Sequence, residues 1–207
     1  LDGKFITVEG VEGVGKSTNM AFIEGFFADR GIKLLCTREP GGTPLAEELR
    51  AILLRRREEA VDVYAELLMV FAARAQHLNT VVKPALKEGC WVLCDRFTDA
   101  TYAYQGMGRQ MPMSFISQLE DSVQQGFQPD LTILLDLDVE VGLERARARA
   151  DLDRFESEEL AFFHRVRSGY QQRVAAAPER YSVIDAAPPI EVVQKNIAAA
   201  LTKFMGS

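Results

Sequence analysis

Two histidines and three cysteines are all that 207 residues contain, and each shortage removes a class of function. His77 and His164 lie far apart without zinc-type spacing, so both are read as structural or surface residues rather than catalytic ones. Cys36, Cys90 and Cys94 are odd in number and lie in or beside apolar segments. That favours reduced core thiols and a cytoplasmic setting over a disulfide framework. Half a metal site at Cys90 and Cys94 lacks the second ligand pair it would need. No apolar run reaches bilayer length, the start is unlike a signal peptide, and Leu1 in place of Met suggests processing or trimming. An excess of positive charge is missing too. A net charge of -6 argues against binding a nucleic acid polymer, while allowing a small anion held by a local group of arginines. Pro/Ser-rich linkers and internal repeats are absent, so the expectation is one domain over residues 1–207.

What is present begins with EGVEGVGKST, Glu9 to Thr18, directly after the apolar run Phe5–Val8. Gly10, four residues, then Gly15-Lys16-Ser17 is the P-loop spacing. Glycines let the chain turn so that successive backbone N–H groups face phosphate oxygens. Lys16 would reach the β- and γ-phosphates, and the Ser17 hydroxyl would ligate Mg²⁺. A helix read over Ser17–Arg30 turns its positive end to the anion. An acid inside this loop, Glu12, is unexpected and asks for its own role.

Strand-like runs recur at Phe5–Glu9, Lys33–Thr37, Trp91–Asp95, Leu131–Asp136 and Tyr181–Ile184. Between them, helical segments are expected at Ser17–Arg30, Thr43–Arg56, Tyr64–Lys87, Pro112–Gln125, Val139–Arg149, Ser157–Ala177 and Ile190–Met205. This alternation implies an α/β fold, a five-stranded parallel sheet with helices on both faces. Ligands of such sheets bind beyond the carboxyl ends of the strands. After the second strand comes TREPGGTP, where Thr43 can cap a helix that starts at Pro44. A rigid turn accounts for its Pro and Gly but not for Arg38 and Glu39, so the segment is expected to line a site. After the third strand comes Asp95-Arg96. A surface ion pair is one reading; a Mg²⁺-associated carboxylate beside a phosphate-gripping arginine is the other. Thr101, Tyr104 and Gln105 follow, offering a hydroxyl, an aromatic wall and an amide. Phe71 and Arg74, three apart, share a helix face. They are either a core ring with a solvated arginine or parts of a nucleobase pocket.

Arg145, Arg147, Arg149 and Arg154 fall within ten residues. A solvated helix face or an RNA-binding patch is one reading, and the acidic interleaving weakens the latter. The other follows from an absence: loop positions Val11, Glu12, Gly13 and Val14 hold no arginine. Phosphoryl transfer needs cations on the migrating group, and a lid over about residues 145–156 can bring them while excluding water.

Taken in order, FITVEGVEGVGKST, TREPGGTPLAEELR, FAARAQ, DRFTDATYAYQG, RARARADLDRFE and VIDA resemble the thymidylate kinases over essentially the whole chain. The resemblance implies a three-layer P-loop kinase fold with an Arg-rich lid, and ATP-dependent phosphorylation of dTMP to dTDP by in-line transfer with Mg²⁺. It assigns Gly10, Gly13, Val14, Gly15, Lys16, Ser17 and Thr18 to ATP, with Arg154 and, in the loop beside the adenine, Ala187. Asp95 joins Ser17 near Mg²⁺. Arg96 grips the acceptor phosphate and Arg50 stands on the same side, with Glu39 and Pro40 also lining the dTMP site. Arg74 and Gln105 read the thymine edge, Thr101 keeps a polar contact to the base, and Tyr104 is the wall that disfavours a 2′-hydroxyl. Glu12 contacts the sugar 3′-hydroxyl. An acid there, with arginines in the lid, is similar to the bacterial subclass, which moves the catalytic arginine to the lid; Arg147 and Arg149 are named together for it. The chain departs from the family at its base-stacking Phe, whose position is Val70 here with Phe71 next to it, about 100° away on a helix. Family members are commonly homodimers. The main rival, a small GTPase, would need Asn-Lys-x-Asp and Asp-x-x-Gly strings, and neither occurs.

Overall fold

The computed structural model describes residues 3–148, 154–156 and 158–206. Its sheet has five strands: β1 (Phe5–Glu9), β2 (Leu34–Arg38), β3 (Trp91–Asp95), β4 (Leu131–Asp136) and β5 (Tyr181–Asp185). They lie in the order β2-β3-β1-β4-β5, all pairs parallel. The central position of β1 explains its composition. All five of its residues are buried, and Val8 is paired with Asp95 on one side and Ile133 on the other. A strand covered on both faces reads as a continuous apolar run, and each such side chain contributes about 1.5–3 kcal/mol by burial. The edge strands β2 and β5 are only partly buried.

The helices are α1 (Lys16–Ala28), α2 (Pro44–Leu54), α3 (Val63–His77), α4 (Lys83–Lys87), α5 (Thr98–Thr101), α6 (Met113–Gln124), α7 (Val139–Arg147), α8 (Leu160–Ala176) and α9 (Ile190–Met205). Thr43 caps α2 through Ala46 N–H at 3.1 Å, with Pro44 in the first turn, as its sequence predicts. The single helix expected over Tyr64–Lys87 is instead interrupted by a π-helical turn at Leu78–Val82. Pro84 supplies the reason, because it has no N–H for the carbonyl one turn earlier and the ladder re-phases around it. A second π turn, Tyr102–Gly108, follows α5 and packs on α8. The start of α8 falls at Leu160 rather than Ser157. Among the described residues no helix is long and apolar enough to cross a membrane.

Candidate active site

The loop between β1 and α1 turns on glycines with positive φ: Gly10 (145°), Gly13 (74°) and Gly15 (87°). Gly13 is required on steric grounds as well, since a Cβ there would lie 1.8 Å from the Gly142 carbonyl oxygen of α7. No side chain caps α1 and its first turn holds no acid, so its leading N–H groups remain available to an anion. Ser17 and Thr18 are exposed there. Lys16 Nζ donates to the carbonyls of Gly10 (3.3 Å) and Val11 (3.2 Å). Burial, then the nearby Arg96 charge, lowers its pKa. A lysine already costly to keep charged gains from an anion that compensates it.

Ser17 and Asp95 line one depression, beside Thr37 and Arg38 at the carboxyl end of the sheet. Asp95 Oδ1 is buried there without a hydrogen-bond partner. A hydroxyl and an orphaned carboxylate oxygen fit a small hard cation that keeps most of its ligands as water and phosphate. Among the described residues no cluster of three or more His, Cys, Asp or Glu offers a complete protein cage.

On the other side of Arg96 opens a cavity. Glu12, Arg50, Arg96 and Tyr104 line one part of it, and Glu39, Pro40, Arg74, Thr101 and Gln105 the rest. Every residue the sequence places at the acceptor is therefore on its wall except Phe71. Arg96 has φ 68°, unusual for a residue with a side chain. Its Nη1 donates to the Gly10 carbonyl (2.9 Å) and the Tyr170 hydroxyl (3.0 Å), and its Nη2 to Glu12 (2.8 Å). Although burial opposes its charge, Glu12 and the two tyrosines hold its pKa well above the usual value. The Tyr104 hydroxyl donates to the same Glu12 oxygen at 2.8 Å, and its ring lies 4.7 Å beneath the Arg96 guanidinium. Arg50 donates to the Pro40 carbonyl at 2.9 Å, and burial followed by repulsion from Arg38 lowers its pKa.

At the far end, Arg74 is 1% exposed and held from two sides. Its Nε donates to Glu39 (2.7 Å) and its Nη2 to Thr101 Oγ1 (2.9 Å), while Nη1 is buried with no partner. Glu39 is in turn fixed by His77 Nδ1 at 2.9 Å, and His77 Nε2 meets Thr37 at 2.8 Å. His77 is thus a buried structural residue, while His164 is exposed beside Glu140. Phe71 belongs to the core with Leu67, Tyr102, Met111 and Ile116. It backs the Arg74 guanidinium at 4.9 Å, and Val70 and Phe97 line the cavity instead.

Other expected residues are placed elsewhere. Arg147 is exposed on the last turn of α7, and Arg149 lies outside the described residues, as do 150–153 of the lid segment. The Arg154 guanidinium bonds Leu53 O (2.7 Å) and Glu66 (2.7 Å), on the side of the cavity beside Arg96 rather than at the loop of α1. Ala187 closes a turn after β5, its N–H bound to Asp185 at 2.9 Å. Two residues, Glu9 and Glu66, escaped sequence reasoning. Glu9 accepts from Phe97 N–H (2.6 Å) and the Tyr170 hydroxyl (2.8 Å). Burial, then Asp99, pushes its pKa up to about 8. Glu66 receives Gln105 at 2.9 Å. Its spacing was the signal, since positions 66, 70 and 74 fall on one helix face.

The family model described as thymidylate kinase matches residues 8–197. The thymidylate kinase of Teredinibacter turnerae is 64% identical over 205 residues, 99% of this chain and 100% of that protein. The thymidylate kinase of Hahella chejuensis is 57% identical over 199 residues, 96% of each chain. Among solved structures, the thymidylate kinase of Ehrlichia chaffeensis aligns with a TM-score of 0.79 at 32% identity, covering 98% of this chain and 100% of that one.

Proposed function

The chain belongs to the thymidylate kinase family and phosphorylates dTMP to dTDP with ATP, and from that premise we propose how its residues divide the work. The loop from Gly10 to Thr18 (Gly10, Gly13, Val14, Gly15, Lys16, Ser17, Thr18) holds the ATP phosphates, with Ala187 beside the adenine. Arg96 and Arg50 take the acceptor 5′-phosphate, and Glu12 takes the 3′-hydroxyl. Tyr104 walls the sugar. Arg74 and Gln105 read the base, Thr101 and Glu39 hold Arg74 in place with Pro40 shaping the wall, and Phe71 supports it from behind. Ser17 and Asp95 would hold Mg²⁺, which neutralises charge on the phosphates. Transfer is direct and in line, with positioning and charge neutralisation supplying most of the rate. Arg147 and Arg149 are the lid cations assigned to the migrating group. Arg154 moves from the ATP side to the acceptor side in this reading.

One observation carries the base assignment: Arg74, which lines the cavity, has a buried donor, Nη1, with no protein partner. Leaving such a donor unpaired costs about 1–3 kcal/mol, which a base carbonyl would recover. Coupled ADP release with dTMP, dUMP, UMP, CMP, AMP and GMP tests it. dTMP is expected to be preferred, and Arg74→Ala to raise the dTMP KM at least about tenfold while moving the ATP KM less than about twofold. Equal loss for both substrates would remove Arg74 from the base site.

A homodimer through α3 and α6 completes the reading. Tyr64 and Leu68, four apart on α3, are 48% and 50% exposed, and Tyr64 packs at 5.6 Å on Phe115 of α6. The reaction is placed in the cytoplasm, where the free thiols Cys36, Cys90 and Cys94 stay reduced.

A further inference from the structure

Glu66 is 1% exposed on α3 and stands behind the cavity wall, not on it. Its Oε1 accepts from Gln105 Nε2 at 2.9 Å and from Arg109 Nε at 3.3 Å. Its Oε2 accepts from Arg109 Nη2 at 3.4 Å and pairs with Arg154 Nη1 at 2.7 Å. Two arginines suffice to make a buried carboxylate tolerable. They do not account for Gln105. An amide has two faces, an NH₂ that donates and an oxygen that accepts, and an acceptor-only carboxylate fits just the first. With Nε2 held by Glu66, the oxygen is the face that Gln105 has left for the cavity it lines.

We propose that Glu66 is a positioning residue that selects the base by fixing the Gln105 amide. The wall then presents an acceptor, Gln105 Oε1, together with a donor, Arg74 Nη1. That pair suits a pyrimidine edge carrying a ring N–H beside a carbonyl. It opposes an edge carrying a bare ring nitrogen beside an amino group. The inference rests on the assignment of Arg74 and Gln105 to the base.

Glu66→Gln keeps the volume and removes the charge. One amide oxygen cannot serve both the arginines and Gln105. Charged donors make the stronger bonds, so the arginines take that oxygen and the new NH₂ faces Gln105. Gln105 then turns, its own NH₂ enters the cavity, and donor meets donor at the base.

The test is a double-mutant cycle on the full chain: wild type, Glu66→Gln, Gln105→Ala and the double variant, each with dTMP and ATP KM, kcat and a thermal midpoint. Glu66→Gln is expected to raise the dTMP KM about tenfold, leaving the ATP KM within about twofold. In the Gln105→Ala background the same change should add less than about twofold, because the residue it acts through is gone. An unchanged dTMP KM in Glu66→Gln, or an equal rise in both backgrounds, overturns the proposal. Gln105→Ala with a wild-type dTMP KM overturns the base assignment beneath it, a separate outcome read from a separate variant. If Glu66→Gln does not fold, Glu66→Asp, which keeps the charge but withdraws the carboxylate from Gln105, is put through the same cycle with the same expectations.

Discussion

The Arg96 guanidinium and the Glu12 carboxylate meet at 2.8 Å, and this contact ties the glycine loop after β1 to the cavity beside Arg96. Glu12 belongs to the loop, while Arg96 reaches it from the end of β3 and also binds the loop's Gly10 carbonyl at 2.9 Å. An acid in an anion-binding loop thereby has a physical use. It holds the arginine that the proposed assignment turns to the second phosphate, and it does so without occupying every donor of the guanidinium fork. The left-handed backbone of Arg96 costs about 1–2 kcal/mol, consistent with strain retained at a working position.

Arg96→Lys tests that relationship. A lysine has one charged centre and cannot reach Gly10, Tyr170 and Glu12 with the planar fork that arginine uses. The kcat/KM for dTMP is expected to fall at least about a hundredfold, with the thermal midpoint moved by only a few degrees. A loss smaller than about threefold would take Arg96 out of the phosphate site.

Lys16→Ala should reduce turnover about a thousandfold or more and leave the fold intact. The side chain binds only two carbonyls of its own loop, and burial already disfavours its charge. Removing it relieves a desolvated amine, so the thermal midpoint should stay or rise. Near-normal turnover in this variant would contradict the loop's role.

The fold was legible because its strands are short apolar runs that end in chemistry. WVLCD, read as a strand, also located Asp95 at the crevice. The cavity wall was legible through local motifs, REPGGT and DRF with AYQG, since each delivers its residues from one segment. What a string cannot show is which of two adjacent helix positions faces inward. Val70 and Phe71 are about 100° apart, and only the packing of α3 on α6 and on the π turn at Tyr102–Gly108 sends Phe71 to the core. Nor can it show partners distant in sequence. Glu9 reads as the end of an apolar strand until Tyr170, from α8, donates to it at 2.8 Å.

Glu9 gives a pH signature. Burial, then Asp99, raises its folded pKa to about 8 from an ordinary value of 4.5. Between those values the unfolded chain has released the proton that the folded chain keeps. Folding then binds a proton, so this residue's contribution to stability is full below about pH 4.5 and is lost as pH rises through about 8. Glu9→Gln removes the titration. Its thermal midpoint should therefore gain on the wild type steadily between pH 5 and pH 8, whatever the offset from the altered bond to Tyr170. A constant difference across that range would show that Glu9 does not hold a raised pKa.

Asp95→Asn addresses the cation. One carboxylate oxygen of Asp95 is buried and unpartnered beside Ser17, so the side chain keeps a bonding position that the protein does not fill. A structural aspartate would be expected to have that oxygen bonded, and its loss would lower stability. Here the amide should leave the metal-free thermal midpoint little changed, because the buried oxygen makes no hydrogen bond to lose. The Mg²⁺ concentration giving half-maximal rate should rise about tenfold or more, with much of kcat recovered at high Mg²⁺. Chelation of divalent ions should stop turnover in both proteins. If the Mg²⁺ requirement stayed at the wild-type value while stability fell, Asp95 would be a structural carboxylate and the cation would have to be held by the nucleotide phosphates and Ser17 alone.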